Sequence, residues 1–141
     1  MDNYEKAKKA YIEACKGINI KENEQIVLEC KISRLCYHFA KNISGSDIKA
    51  HEQVILELKD LQYSYFFARY IKGADIKAHE KVILELKDPE ESFYFARDVP
   101  GANIEEHFKI VCNYRDKDYL NIFIEKVNYK NTKVKEWLFY I

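Results

Sequence analysis

The sequence predicts an all-α chain, an α-solenoid of about five helix-hairpin repeats, and three observations point that way. The run from Ser46 to Asp60, Ser-Asp-Ile-Lys-Ala-His-Glu-Gln-Val-Ile-Leu-Glu-Leu-Lys-Asp, returns almost unchanged from Ala74 to Asp88. All the glycines, Gly17, Gly45, Gly73 and Gly101, fall in one phase of that period. So do Phe39, Phe67, Phe95 and Phe123, preceded by Tyr11, and Ile20, Ile48, Ile76 and Ile104. A short period of this kind marks units that bury their apolar faces only by stacking on neighbours. The units span about 1–24, 25–52, 53–80, 81–108 and 109–136, with a C-terminal half-unit ending at 141, all within a single helical-repeat domain covering 1–141.

Each unit reads as two short helices. Two or so belong to the first 43 residues, and the rest are expected near 48–58, 61–71, 76–86, 89–98, 104–114 and 117–127. Asp47, Asp75 and Asn103 are N-cap residues for the first helix of a unit. Asp88-Pro89 opens a second helix, with Pro in the first turn, and Gly101 lies just past its end. No segment alternates as a strand does. On the second helices Ser64, Phe67, Ala68 and Ile71, matched by Ser92, Phe95, Ala96 and Val99, form the stripe to be buried. On the first helices the stripe is Ile76, His79, Ile83 and Leu86, widened by Val82, while Glu52, Lys59, Glu80, Glu85 and Lys87 are assigned to a solvated face. With helices about 8–10 Å apart, five units would make a curved rod about 50 Å long.

Composition narrows the function classes. A chain of 141 residues with 48% hydrophobic and 33% charged residues can build one core and a solvated surface. The 23 Lys+Arg balance 23 Asp+Glu, which argues against indiscriminate nucleic-acid binding. No apolar run approaches the ~18 residues of a membrane span, and residues 1–21 lack a signal peptide's apolar stretch. Cys15, Cys30, Cys36 and Cys112 form no C-x-x-C pair and take apolar or small positions of the repeat, so reduced thiols and a cytoplasmic location are expected.

The period, together with the phrase Tyr63-Ser-Tyr-Phe-Phe-Ala-Arg-Tyr-Ile-Lys-Gly-Ala-Asp-Ile76, resembles the short HEAT-like helical repeats of uncharacterised clostridial and phage-encoded proteins. The likeness covers roughly residues 7 to 128. It implies an α-solenoid used as a binding surface, and a phage-encoded inhibitor or adaptor acting on a host protein or complex. It carries no catalytic motif.

His51, His79 and His107 recur once per unit. Equivalent positions of stacked units sit about 10 Å apart, whereas the ligands of one zinc lie about 2 Å from the ion. Hydrogen-bonded packing is therefore the expected role, and no metal is. The chain has no nucleophile–base motif and no phosphate-cradling glycine cluster, so neither catalytic residues nor a cofactor are expected. Glu90 and Glu91 open a helix, where negative charge is favourable.

The second helices carry the candidate site. Tyr37, Tyr65 and Phe93 share one repeat position, Lys41, Arg69 and Arg97 follow one turn later, and His38, Phe66 and Tyr94 stand beside them, with Tyr70 at a variable position. Stacked, they would form an aromatic column beside a basic one, or, since solenoid helices bury a wide arc, many of the rings would be inter-unit core. A protein partner is the first reading. The second is a nucleic-acid-binding protein resembling the HEAT-like DNA glycosylases, opposed by the seven acids and three bases of residues 81–108. A third is a self-assembling rod. No membrane partner is expected. Trp137 and Tyr140, in an apolar C-terminal segment, are candidates for a homodimer contact.

Overall fold

A computed structural model describes residues 1–113, 121–123 and 125, and among these every regular element is helical. In order these are α1 (Asn3–Cys15), α2 (Ile20–Cys30), α3 (Ser33–Asn42), α4 (Ile48–Leu58), α5 (Leu61–Tyr70), α6 (Ile76–Leu86), α7 (Pro89–Asp98) and α8 (Ile104–Asn113). Residues 121–123 and 125 are also helical, whereas Trp137 and Tyr140 lie outside the described residues. Contacts divide the chain into two compact units, Met1–Asp75 and Ile76–Ile141.

The period persists in the elements. Helices α2, α4, α6 and α8 start at Ile20, Ile48, Ile76 and Ile104, one repeat apart each time, and α3, α5 and α7 start at Ser33, Leu61 and Pro89 with the same spacing. Capping follows the sequence: Asp47 accepts from the Ala50 N–H (3.0 Å), Asp60 from Tyr63 (3.0 Å), Asp88 from Glu91 (2.8 Å) and Asn103 from Glu106 (3.3 Å). Such a cap is worth about 1 kcal/mol. In the loops after α3 and α5, Gly45 and Gly73 have φ of 78° and 84°. Nothing lies within 4 Å of where a Cβ would be, so backbone handedness, not space, selects glycine there.

The expected second-helix stripe is the core. Phe39, Phe67, Phe95 and Phe123 are each 0% exposed, and Ser64, Ala68, Ile71, Ser92, Ala96 and Val99 are buried with them. The first-helix stripe needs correction. Leu86 and its equivalent Leu58 are exposed, and the buried arc is completed by Glu52 and Glu80, which the helical pattern had placed in solvent.

These carboxylates are buried because each accepts hydrogen bonds from the next first helix. In the first unit, Glu24 Oε1 accepts the Asp47 N–H (2.6 Å) and pairs with His51 Nε2 (3.0 Å). In the second unit, Glu80 Oε2 accepts the Asn103 N–H (2.7 Å) and pairs with His107 Nε2 (2.9 Å). Glu52 Oε2 likewise accepts the Asp75 N–H (2.7 Å). A carboxylate only accepts, so Nε2 carries the proton; the other ring nitrogen of His51 and of His107 is buried with no hydrogen-bond partner. Each imidazole is thus neutral. Burial holds both histidines below their usual pKa, against the pull of the hydrogen-bonded glutamate. Each ring also stacks on a core phenylalanine, Phe39 on His51 at 5.0 Å and Phe95 on His107 at 5.2 Å. Hydrogen-bonded packing is what these histidines do.

The equivalence of Tyr11 with Phe39 fails. Helix α1 buries Ala7, Ala10 and Ala14 as α3 buries Ser33, Cys36 and Ala40, whereas the period would put Glu5, Lys8 and Ile12 at those places. Helix α1 is therefore two positions out of phase with the repeat. Three small residues at i, i+3 and i+7 let it pack closely on its neighbours. Tyr11 is only half-buried, packing on Phe39 (6.3 Å) and accepting from the Asn42 amide (2.9 Å). Lys8, Ile12 and Cys15 are exposed at the repeat positions of buried Cys36, Ala40 and Ile43. Cys15 is therefore no core residue, although all four cysteines are free thiols. Burial pushes Cys36 up to about 12 and Cys112 up to about 11, which keeps both protonated and unreactive.

Candidate interaction surface

The structure splits the expected aromatic column. Tyr37, Tyr65 and Phe93 are 4%, 5% and 4% exposed, so the ring at this repeat position belongs to the core and offers no stacking platform. Tyr37 packs against Phe67 (6.5 Å) and Phe66 (5.8 Å). Phe66 and Tyr94 are half-buried, and Tyr70 stands 49% exposed.

The basic residues that follow are exposed, as their position one turn later implies. Lys41 Nζ sits 5.6 Å from the Tyr37 ring and 5.1 Å from the Tyr70 ring, linking α3 to α5. The Arg69 guanidinium lies over Tyr65 (5.8 Å) and Tyr70 (4.8 Å) and donates to the Tyr65 hydroxyl at 2.7 Å. In α7, Arg97 lies over Phe93 (5.2 Å) and Tyr94 (5.1 Å) and donates two bonds of 2.7 Å to the Asp98 carboxylate. The Tyr94 hydroxyl donates to Glu90 at 3.1 Å. The rings thus serve as beds for the cations.

The second helices differ in charge. Helices α3 and α5 carry Arg34, His38, Lys41 and Arg69 and not one carboxylate, while α7 carries Glu90, Glu91 and Asp98 with Arg97. Among the described residues Arg34 and Lys41 form no ion pair. In the first unit the structure therefore brings together Lys41, Phe66, Arg69 and Tyr70 as one cationic and aromatic surface. Arg97 and Tyr94 are engaged with acids of their own helix.

Sequence reasoning missed the neighbouring groove of about 260 Å³ between α1 and α3, lined in part by Tyr4, Lys8, Ile12, Arg34 and His38. The alanine stripe of α1 was the signal that would have revealed it. Among the described residues no group of three or more His, Cys, Asp or Glu side chains converges as a metal site, and no helix is long and apolar enough to cross a membrane. No protein-family model, no curated protein and no solved structure matches this chain.

Proposed function

We propose that this chain is a non-enzymatic helical-repeat module, its short hairpins stacked as a solenoid, that binds another protein through the second helices of its N-terminal half. One observation carries the reading: α3 and α5, which contain no carboxylate of their own, present exposed Lys41, Arg69 and Tyr70 beside Phe66. Tyr and Arg are the residues that dominate protein-binding energy, because they combine large rigid area with directional donors. A nucleic acid fits this surface less well. The rings at the shared repeat position are buried, and few cations are available to displace counterions from a phosphate chain.

The test is affinity purification from the source cells with and without nuclease, comparing the native chain with Lys41→Glu, Tyr70→Ala. A protein retained after nuclease and lost on the variant, with circular dichroism unchanged, is the expected result. Loss of every partner on nuclease treatment overturns it.

A further inference from the structure

The groove between α1 and α3 combines apolar and cationic walls. Tyr4 and Ile12 are 38% and 43% exposed. Ile12 is exposed because α1 is out of phase with the repeat, which turns Lys8 and Ile12 away from the inward positions held by Cys36 and Ala40 in α3. Lys8 stands over the Tyr4 ring (5.9 Å), and Arg34 and His38 line the groove from α3. No carboxylate lines it, and neither Lys8 nor Arg34 has an ion-pair partner among the described residues. Burial, then Arg34 and Lys41, hold His38 below its usual pKa. Closely spaced cations beside exposed apolar area are complementary to a peptide that alternates carboxylates with large apolar side chains.

We infer that this groove docks an acidic, apolar-anchored segment of a partner protein, an aliphatic or aromatic side chain lying between Tyr4 and Ile12 and flanking carboxylates pairing with Lys8 and Arg34. The inference rests on the protein-binding reading above and adds the partner's chemistry and a second contact region. A continuous polyanion such as a nucleic acid would use the cations but leave Tyr4 and Ile12 uncovered.

The probe is a fluorescein-labelled peptide of alternating Glu and Leu, titrated by anisotropy against the full chain. A Lys-Leu peptide and a single-stranded oligonucleotide serve as comparators. The acidic peptide should bind, and binding should weaken roughly tenfold or more in Lys8→Glu, Arg34→Glu and on raising salt from about 0.05 to about 0.3 M. Ile12→Ser should weaken it at constant charge. Lys8→Gln, Arg34→Gln, melted in parallel, serves as the gentler variant should charge reversal disturb folding. No binding of the acidic peptide overturns the inference, as does an oligonucleotide that displaces it from the groove. A peptide that responds to Tyr70→Ala but not to Lys8 and Arg34 also overturns it. That last outcome leaves the protein-binding surface of α3 and α5 standing, so the two readings fail separately.

Discussion

Helix α5 buries Ser64, Phe67 and Ala68 as deeply as α7 buries Ser92, Phe95 and Ala96, with both phenylalanines at 0% exposure. Turned to solvent, the same two helices part company. Arg69 of α5 donates to a tyrosine hydroxyl on a helix without acids, whereas Arg97 of α7 is held by two bonds to Asp98 on a helix with three. The inward residues must fit a fixed space between helices and therefore repeat. The outward residues answer only to what approaches them. In a repeat chain the period describes the scaffold, and departures from it mark where binding is to be sought.

If the inward halves are equivalent, breaking them should cost the same. Phe67→Ala and Phe95→Ala should each lower the unfolding free energy by about 3–5 kcal/mol, as large-to-small changes at fully buried aromatic sites do. Urea denaturation followed by circular dichroism measures both. A loss below about 1 kcal/mol at either position would remove that ring from the core.

How much of this was legible depends on which residues a helical pattern can place. The all-helical class, the starts of α4 to α8 and the four buried phenylalanines followed from period and capping alone. The second-helix stripe did as well. The burial of Glu52 and Glu80 did not follow, because periodicity ranks residues by polarity, and a buried carboxylate looks solvated until the donors that satisfy it are known. The loss of Tyr37, Tyr65 and Phe93 to the core has a related cause. A helix packed on several neighbours buries a wide arc, wider than one stripe of its sequence. The phase slip of α1 is carried by Ala7, Ala10 and Ala14, whereas the period matches Tyr11 with the core phenylalanines.

The glutamate rungs sharpen the comparison between the two units. Glu24→Ala and Glu80→Ala each remove the acceptor of one backbone N–H and of one fully buried imidazole N–H, and should cost about 2–4 kcal/mol. Glu80→Gln keeps an acceptor oxygen and should recover about half. Equal losses would show that the rung is one device used twice. A loss under about 0.5 kcal/mol at either, the low end for a single net hydrogen bond, would show that water replaces it there.

The same rungs set a pH dependence. His51 and His107 are held below their usual pKa when folded, while the unfolded chain takes up their protons below about pH 6.5. The unfolded state therefore binds more protons, and stability falls as pH drops below that value and is level above it. The slope is at most about 1.4 kcal/mol per pH unit for each histidine. Unfolding free energies at about pH 7.5 and pH 5 test this. His107→Phe should reduce the slope, whereas a slope of opposite sign would mean that the native state prefers the imidazolium.

The smallest expected effect concerns a place where sequence and backbone disagree. The turns after α2, α4 and α6 put Lys31, Lys59 and Lys87 at φ of 53°, 49° and 51°, left-handed geometry that costs a non-glycine residue roughly 1 kcal/mol. At the other turn of each hairpin the chain uses glycine. The difference is not one of hydrogen bonding, since the Lys31, Lys59 and Lys87 N–H groups each donate to a carbonyl three residues back, at 3.3, 3.1 and 3.3 Å. Lys31 also forms an exposed ion pair, with Glu57 at 3.7 Å, but such a pair adds little. Glycine at Lys87 would relieve the strain but free the unfolded chain, so the net gain should be about 0.3–1 kcal/mol. Gly73→Ala, introducing the same strain at the opposite turn, should lose about 1 kcal/mol. Thermal melts of Lys87→Gly and Gly73→Ala should therefore shift in opposite directions. A destabilised Lys87→Gly would mean that the lysine side chain holds its turn more firmly than the left-handed backbone opposes it.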